Sequence, residues 1–181
     1  MKLTKPKARP RRAQGRDDTL VSASMLDAAV DAILARIHLD RGHDIPYLAG
    51  YSLSGHTIYI DRHVPRTFVT RGRRIKVDPF LILHEAVEKA LLTTLGLHYQ
   101  HAHQIALRAE EAAVRAMNVS WRDYDRFMQQ QIKEVDDERL LRIPPNLDVK
   151  PYRDEKDFEA LKRMRDAAAR SGGRTPGRTK R

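Results

Sequence analysis

The chain reads as an α+β domain of helices and short strands, and three observations carry that reading. Segments near residues 79–95, 97–117 and 120–135 repeat apolar residues at helical spacing. Residues 45–64 change to aromatic and β-branched residues around a Ser54-Gly55 turn signal, the mark of a hairpin or two short strands. The length of 181 residues leaves room for one hydrophobic core with tails beside it.

Taken in order, Thr19 or Ser22 is a candidate cap for a first helix running to about Leu39, with Leu26, Ala29, Val30, Ile33, Leu34 and Ile37 on one face. The hairpin of 45–64 follows, then an Arg-rich loop or short strand over 65–78. Asp78 suits an N-cap and Pro79 the first helical position of a helix that ends at Gly96. A His-rich helix extends from Leu97–Gln100 to about Met117, with Asn118 as terminator; its alanine stripe (Ala102, Ala106, Ala109, Ala113) allows close helix packing. Ser120 opens a further helix to about Val135, anchored by Trp121, Tyr124, Phe127, Met128 and Ile132. An extended strap from Arg142 to Tyr152 and a charged helix over 157–169 complete the chain, with disorder expected from Ser171 onward.

Composition narrows the chemistry. Cysteine is absent, which excludes disulfides, a thiol nucleophile and Cys-ligated zinc, so any metal site must use His and carboxylates. No apolar run approaches the ~20 residues of a membrane span and the basic N-terminus lacks the apolar segment of a signal peptide, so no membrane partner and a cytoplasmic address are expected. The net charge of +10 is uneven: residues 1–16 and 162–181 carry +7 each, leaving −4 for the middle. The expected organisation is a disordered basic tail (1–17), an α+β domain (18–152), and a charged helix with a second disordered basic tail (153–181). Such arms attract nucleic acid or acidic partners through salt-dependent contacts, or serve only solubility.

The stretch His84-Glu85-Ala86-Val87-Glu88 carries the chemistry. On a helix His84 and Glu88 stand one turn apart on one face, flanking an apolar stripe of Phe80, Leu83, Val87 and Leu91, while Glu85 points roughly 100° away. A carboxylate at the edge of a core needs a counter-charge, and a divalent metal supplies one. Lys89, on the opposite face, does not. A third ligand is sought among His98, His101, His103 and Glu110; His103 is preferred because it lies off the alanine stripe and shares a face with Glu110, which could orient its ring or itself ligate. His98 and His101 read more simply as core residues, and Glu85 as a solvated partner of Lys89.

The segment resembles the active-site helix of zincin-type metallopeptidases, His-Glu-x-x-His, with Glu88 in place of the second His. It is also similar to small bacterial proteins, some prophage-linked, that share a His-Glu-x-x-Glu helix and a His-rich one. The resemblance spans about residues 45–115 and implies a zincin-like fold. It also implies a zinc site on His84, Glu88 and one downstream His, with Glu85 as general base on a metal-bound water that attacks a peptide bond. Manganese or iron would suit the added carboxylate. The sheet edge before the helix would hold a peptide or protein substrate. The competing reading is a non-catalytic α+β module with a structural His/Glu cluster and basic arms that bind nucleic acid or a partner protein.

Overall fold

A computed structural model describes residues 24–137 and 139–172. The basic tail 1–17, the cap candidates Thr19 and Ser22, and the stretch 173–181 lie outside the described residues. The described chain is mixed α+β, with six helices and two small sheets.

The first helix, α1, covers residues 24–34 and buries Leu26 and Val30. It stops short of the expected Leu39, because residues 38–40 leave the helix to form β1 (His38–Asp40), pairing in parallel with β3 (Thr57–Ile60). β2 (Ala49–Tyr51) pairs antiparallel with the other edge of β3, giving the order β1-β3-β2 and the expected hairpin. As the central strand, β3 is buried on both faces: Ile58 and Ile60 enter the main core, while Tyr59 faces a second cluster with Ile45, Leu147, Tyr152 and Met164.

The Arg-rich stretch is a second hairpin, β4 (Thr67–Thr70) with β5 (Arg73–Lys76). Its turn residues Arg71 and Gly72 both adopt left-handed φ (48° and 74°), which matches the twist of the strands. Phe68 and Ile75 pin its inner face to the core.

Helix α2 (Asp78–Thr94) starts one residue earlier than expected, since Val77 occupies the cap position. Asp78 makes no capping bond; its carboxylate turns instead to Arg41 and, at 3.5 Å, Arg66. Gly96 ends the helix with φ 62°, and Leu97 N–H reaches back to Leu91 O (3.4 Å). Helix α3 (Tyr99–Ala116) lies against α2 through Ala102 and Ala106, both fully buried, so the small-residue stripe does bring the two helices close. Asn118 follows with φ 54°, and α4 (Trp121–Asp137) stacks Phe127 on Phe68 (5.1 Å) and sets Tyr124 edge-on to Phe80 (5.3 Å).

The strap bridges Ser52 to Leu147 beside β2, then coils into a short helix, α5 (Lys150–Asp154), where extended chain was expected. Pro151 at its start supplies a pre-set helical φ. Helix α6 (Phe158–Gly172) runs two residues past Arg170, into the stretch expected to be disordered. Among the described residues, no helix is long and apolar enough to cross a membrane.

Candidate metal centre

The buried face of α2 is only partly the one its apolar spacing suggests. Phe80 of the expected stripe is fully buried, but Leu83, Val87 and Leu91 are only half-buried and Leu95 is 64% exposed, whereas Leu81, His84, Glu85 and Glu88 face inward. The polar cluster therefore shares the buried face of this helix with Phe80, Leu81 and Ile82. Buried carboxylates and imidazoles are stabilised where each finds a partner, and His84, Glu88, His103 and Glu110 each do.

His84 Nε2, His103 Nδ1 and Glu88 Oε2 converge. His84 Nε2 lies 3.2 Å from His103 Nδ1 and 3.6 Å from Glu88 Oε2, and His103 Nδ1 lies 3.0 Å from Glu88 Oε2. These three atoms could hold a metal ion. Separations of 3.0–3.6 Å are of the size expected for donors that would each bind one shared zinc ion at ~2.0–2.1 Å. Two nitrogens and one oxygen form a donor set that fits zinc and its first-row neighbours.

The surroundings aim these donors. Glu110 Oε2 lies 2.8 Å from His84 Nδ1, so a proton on Nδ1 leaves the Nε2 lone pair directed at the site, and Tyr124 donates its hydroxyl to Glu110 Oε1 (2.5 Å). Tyr51 donates to Glu88 Oε1 (3.1 Å), which frees Oε2 for the other two ligands. Tyr99 stacks on the His103 ring (5.5 Å, 29°). Without a cation this arrangement holds protons instead. Burial alone would lower the His84 pKa, but hydrogen bonds to Glu110 and Glu88 and the charge of Glu85 push it up to about 10. Burial works against the Glu88 carboxylate, yet the His103 and His84 contacts bring its pKa down.

Glu85 is set apart. Burial, reinforced by the charge of Glu88, raises its pKa to about 8 although His84 opposes the shift, and no hydrogen bond from a described residue fixes its carboxylate. It is only 7% exposed, so it is no solvated partner of Lys89. Lys89 reaches Asp148 instead (3.0 Å) and lies 4.6 Å from the centre of the Tyr51 ring, which fastens the strap beside the site. Glu85, His84, Glu88 and His103 all line one cavity of about 200 Å³. Its walls are Leu48, Ala49 and Gly50 from the β2 edge and Leu81, Leu107, Met128 and Ile132 from the helices. Tyr47 and Leu48, at the cavity wall, adopt left-handed φ (67° and 73°), a conformation that costs bulky residues about 1 kcal/mol or more. Tyr47 is held there by its hydroxyl on Asp157 (2.6 Å).

Of the residues singled out from sequence, His84, Glu85, Glu88 and His103 come together. His98 and His101 do not: both are exposed, neither core nor ligand, and His98 caps α3 by accepting from Gln100 N–H (3.4 Å). His56 and His63, the histidines beside β3, are exposed and do not line the cavity either. Glu110 orients His84, not His103, because seven residues of α3 separate it from His103 by about 10 Å along the axis. Tyr51 and Tyr124, which hold Glu88 and Glu110, are functional residues that the sequence reading misses, Tyr124 standing there only as a packing anchor. The available signal was a tyrosine on each buried stripe, since a buried phenol seeks a hydrogen-bond partner. No family model, curated protein sequence or solved structure matches the chain.

Proposed function

We propose that this protein is a metal-dependent hydrolase of peptide bonds, binding one divalent cation on His84, Glu88 and His103 and using Glu85 as its general base. The observation that carries the proposal is the convergence of three donor atoms at 3.0–3.6 Å beside a buried carboxylate to which no described residue donates a hydrogen bond. Zinc is the first candidate from the donor set, with manganese and iron next.

When bound, such a cation polarises a carbonyl oxygen and makes water acidic near neutral pH. The chain's own groups then have definite tasks. Glu85 holds its proton to about pH 8 in the metal-free site. With a dipositive charge on its neighbours, it ionises near neutrality, takes a proton from water and passes it to the leaving amine. Glu110 and Tyr51 keep His84 and Glu88 turned toward the cation. Tyr99, buried at the cavity wall with its pKa raised by burial and by Glu88, stays a neutral hydroxyl that can donate to a developing oxyanion.

An extended peptide suits the cavity. Asp61 N–H bonds Leu48 O (2.7 Å) and Ser52 N–H bonds Thr57 O (2.9 Å), so antiparallel alternation turns the Ala49 N–H and C=O away from β3, and Ala49 lines the cavity. The strap already occupies the rest of this edge, with Asp148 N–H on Tyr51 O (2.9 Å) and Leu53 N–H on Asn146 O (2.8 Å), so a substrate backbone would pair at Ala49, beside the ligands.

Elemental mass spectrometry of the purified protein is the test. Near one equivalent of metal, lost in folded His84→Ala and Glu88→Ala variants, establishes the centre; hydrolysis of a peptide library by the parent but not by a metal-loaded Glu85→Gln variant establishes the activity. No metal after incubation with zinc, manganese or iron refutes both, and leaves the cluster a structural element.

A further inference from the structure

The β4–β5 hairpin has a feature that its structural role does not use. Residues 66–76 contain Arg66, Arg71, Arg73, Arg74 and Lys76 and no acid, a charge of +5, inside a middle segment whose total is −4; the rest of that segment is therefore −9. Positive charge is concentrated on one ribbon of an otherwise acidic body. Arg73 has a structural task, donating to the Met117 and Asn118 carbonyls at the end of α3 (3.2 and 3.1 Å). Arg66 lies 3.5 Å from Asp78 but leaves 72% of its side chain exposed. Arg71, Arg74 and Lys76 are exposed and pair with no carboxylate among the described residues.

The register separates two faces. Phe68 pairs with Ile75 on the buried face, while Val69 opposite Arg74 and Thr67 opposite Lys76 form the outer one. Val69 is 67% exposed, a β-branched residue that the core does not need, set among cations. We propose that this outer face, with the Arg71-Gly72 tip, is a docking surface for B-form duplex DNA. Two strands ~4.8 Å apart with side chains on one face make a ribbon that fits a major groove ~12 Å wide. Arginines reach phosphates and guanine edges, and an exposed valine offers apolar contact to a thymine methyl. The deep, narrow major groove of A-form RNA does not admit such a ribbon.

The test is fluorescence anisotropy of a labelled 20-base-pair DNA duplex with the full chain at 150 mM KCl, tails included. Arg71→Gln, Arg74→Gln and Lys76→Gln together should weaken binding at least tenfold and reduce the slope of log K against log salt by about 2 to 3, one phosphate per cation. A control removing the same charge from exposed positions on α5 and α6 (Arg153→Gln, Lys162→Gln, Arg165→Gln) should change affinity less than threefold, with both variants matched to the parent by circular dichroism. Equal losses in both variants, no loss in the first, or equal affinity for an RNA duplex would overturn the proposal. So would hairpin-dependent retention on phosphatidylserine vesicles by a protein that ignores the DNA.

Discussion

Replacing Glu110 by Gln tests whether the metal centre is aimed from behind. The carboxylate is 4% exposed, accepts from His84 Nδ1 at 2.8 Å and receives the Tyr124 hydroxyl at 2.5 Å. Gln keeps the volume and one carbonyl oxygen, so the helix contact survives while the charge that makes His84 a basic ligand is lost. Loss of such an orienting partner weakens metal binding by roughly 10- to 100-fold, or about 1.4–2.7 kcal/mol. Competition against a chromophoric zinc chelator reads this directly. In the metal-free protein the His84 pKa, followed by NMR, should fall from its raised position toward its ordinary range. Tyr124→Phe separates geometry from stability: it leaves Glu110 Oε1 as a buried acceptor without a donor, which costs about 1–3 kcal/mol of folding free energy, while the His84 contact and most zinc affinity remain. A Glu110→Gln variant that binds zinc as tightly as the parent would refute the assignment of Nε2 to the metal and Nδ1 to Glu110.

Other predictions follow from the same contacts. Tyr51→Phe removes the donor to Glu88 Oε1 and should loosen zinc by roughly tenfold, measured in the same competition, because Glu88 then loses the bond that fixes which oxygen faces His103. The metal-free protein should lose stability as pH rises. His84 holds its proton to about 10 against 6.5 when unfolded, a stabilisation complete below pH 6.5 and lost on the way to 10. Glu85 stays protonated to about 8 against 4.5, a penalty that grows from pH 4.5 to 8. Both slopes have the same sign, so the Tm without metal should fall steadily between about pH 6 and 9 while zinc affinity rises; a flat or rising Tm contradicts the protonation described above. Ala106→Leu inserts a large side chain where α3 is fully buried against α2 and should cost about 1–3 kcal/mol or more, lowering the Tm by several degrees in differential scanning calorimetry.

How much of this was legible in the sequence depends on what periodicity encodes. It encodes azimuth: His84 and Glu88 at i and i+4, and His103 off the alanine stripe, were placed correctly because a helix fixes direction around its axis. It does not encode depth or height. The stripe of Leu83, Val87 and Leu91 outscored the buried face in hydrophobicity, yet α2 turns its polar residues inward because Tyr51, Glu110 and His103 wait there, on other elements. Azimuth alone also assigned Glu110 to His103. The antiparallel run of α2 and α3 corrects it: moving up α2 from His84 to Glu88 moves down α3 from Glu110 to His103, so His84 meets Glu110 on one ring nitrogen and His103 on the other, while Glu88 meets His103. The three-residue strand β1 and the short helix α5 hold too few residues for any period to register, and long-range pairing decides both. The same limit applies to Glu85. Read along its own helix it is a surface carboxylate with Lys89 one turn away; only the strap that carries Asp148 takes Lys89 from it and encloses it beside the ligands. The residue proposed as general base is therefore isolated by a segment more than fifty positions downstream, and Asp148→Ala, which touches neither a ligand nor Glu85 by any hydrogen bond, should leave metal affinity in place while in the metal-free protein, followed by NMR titration, it returns Lys89 to Glu85 and lowers the Glu85 pKa below its value of about 8.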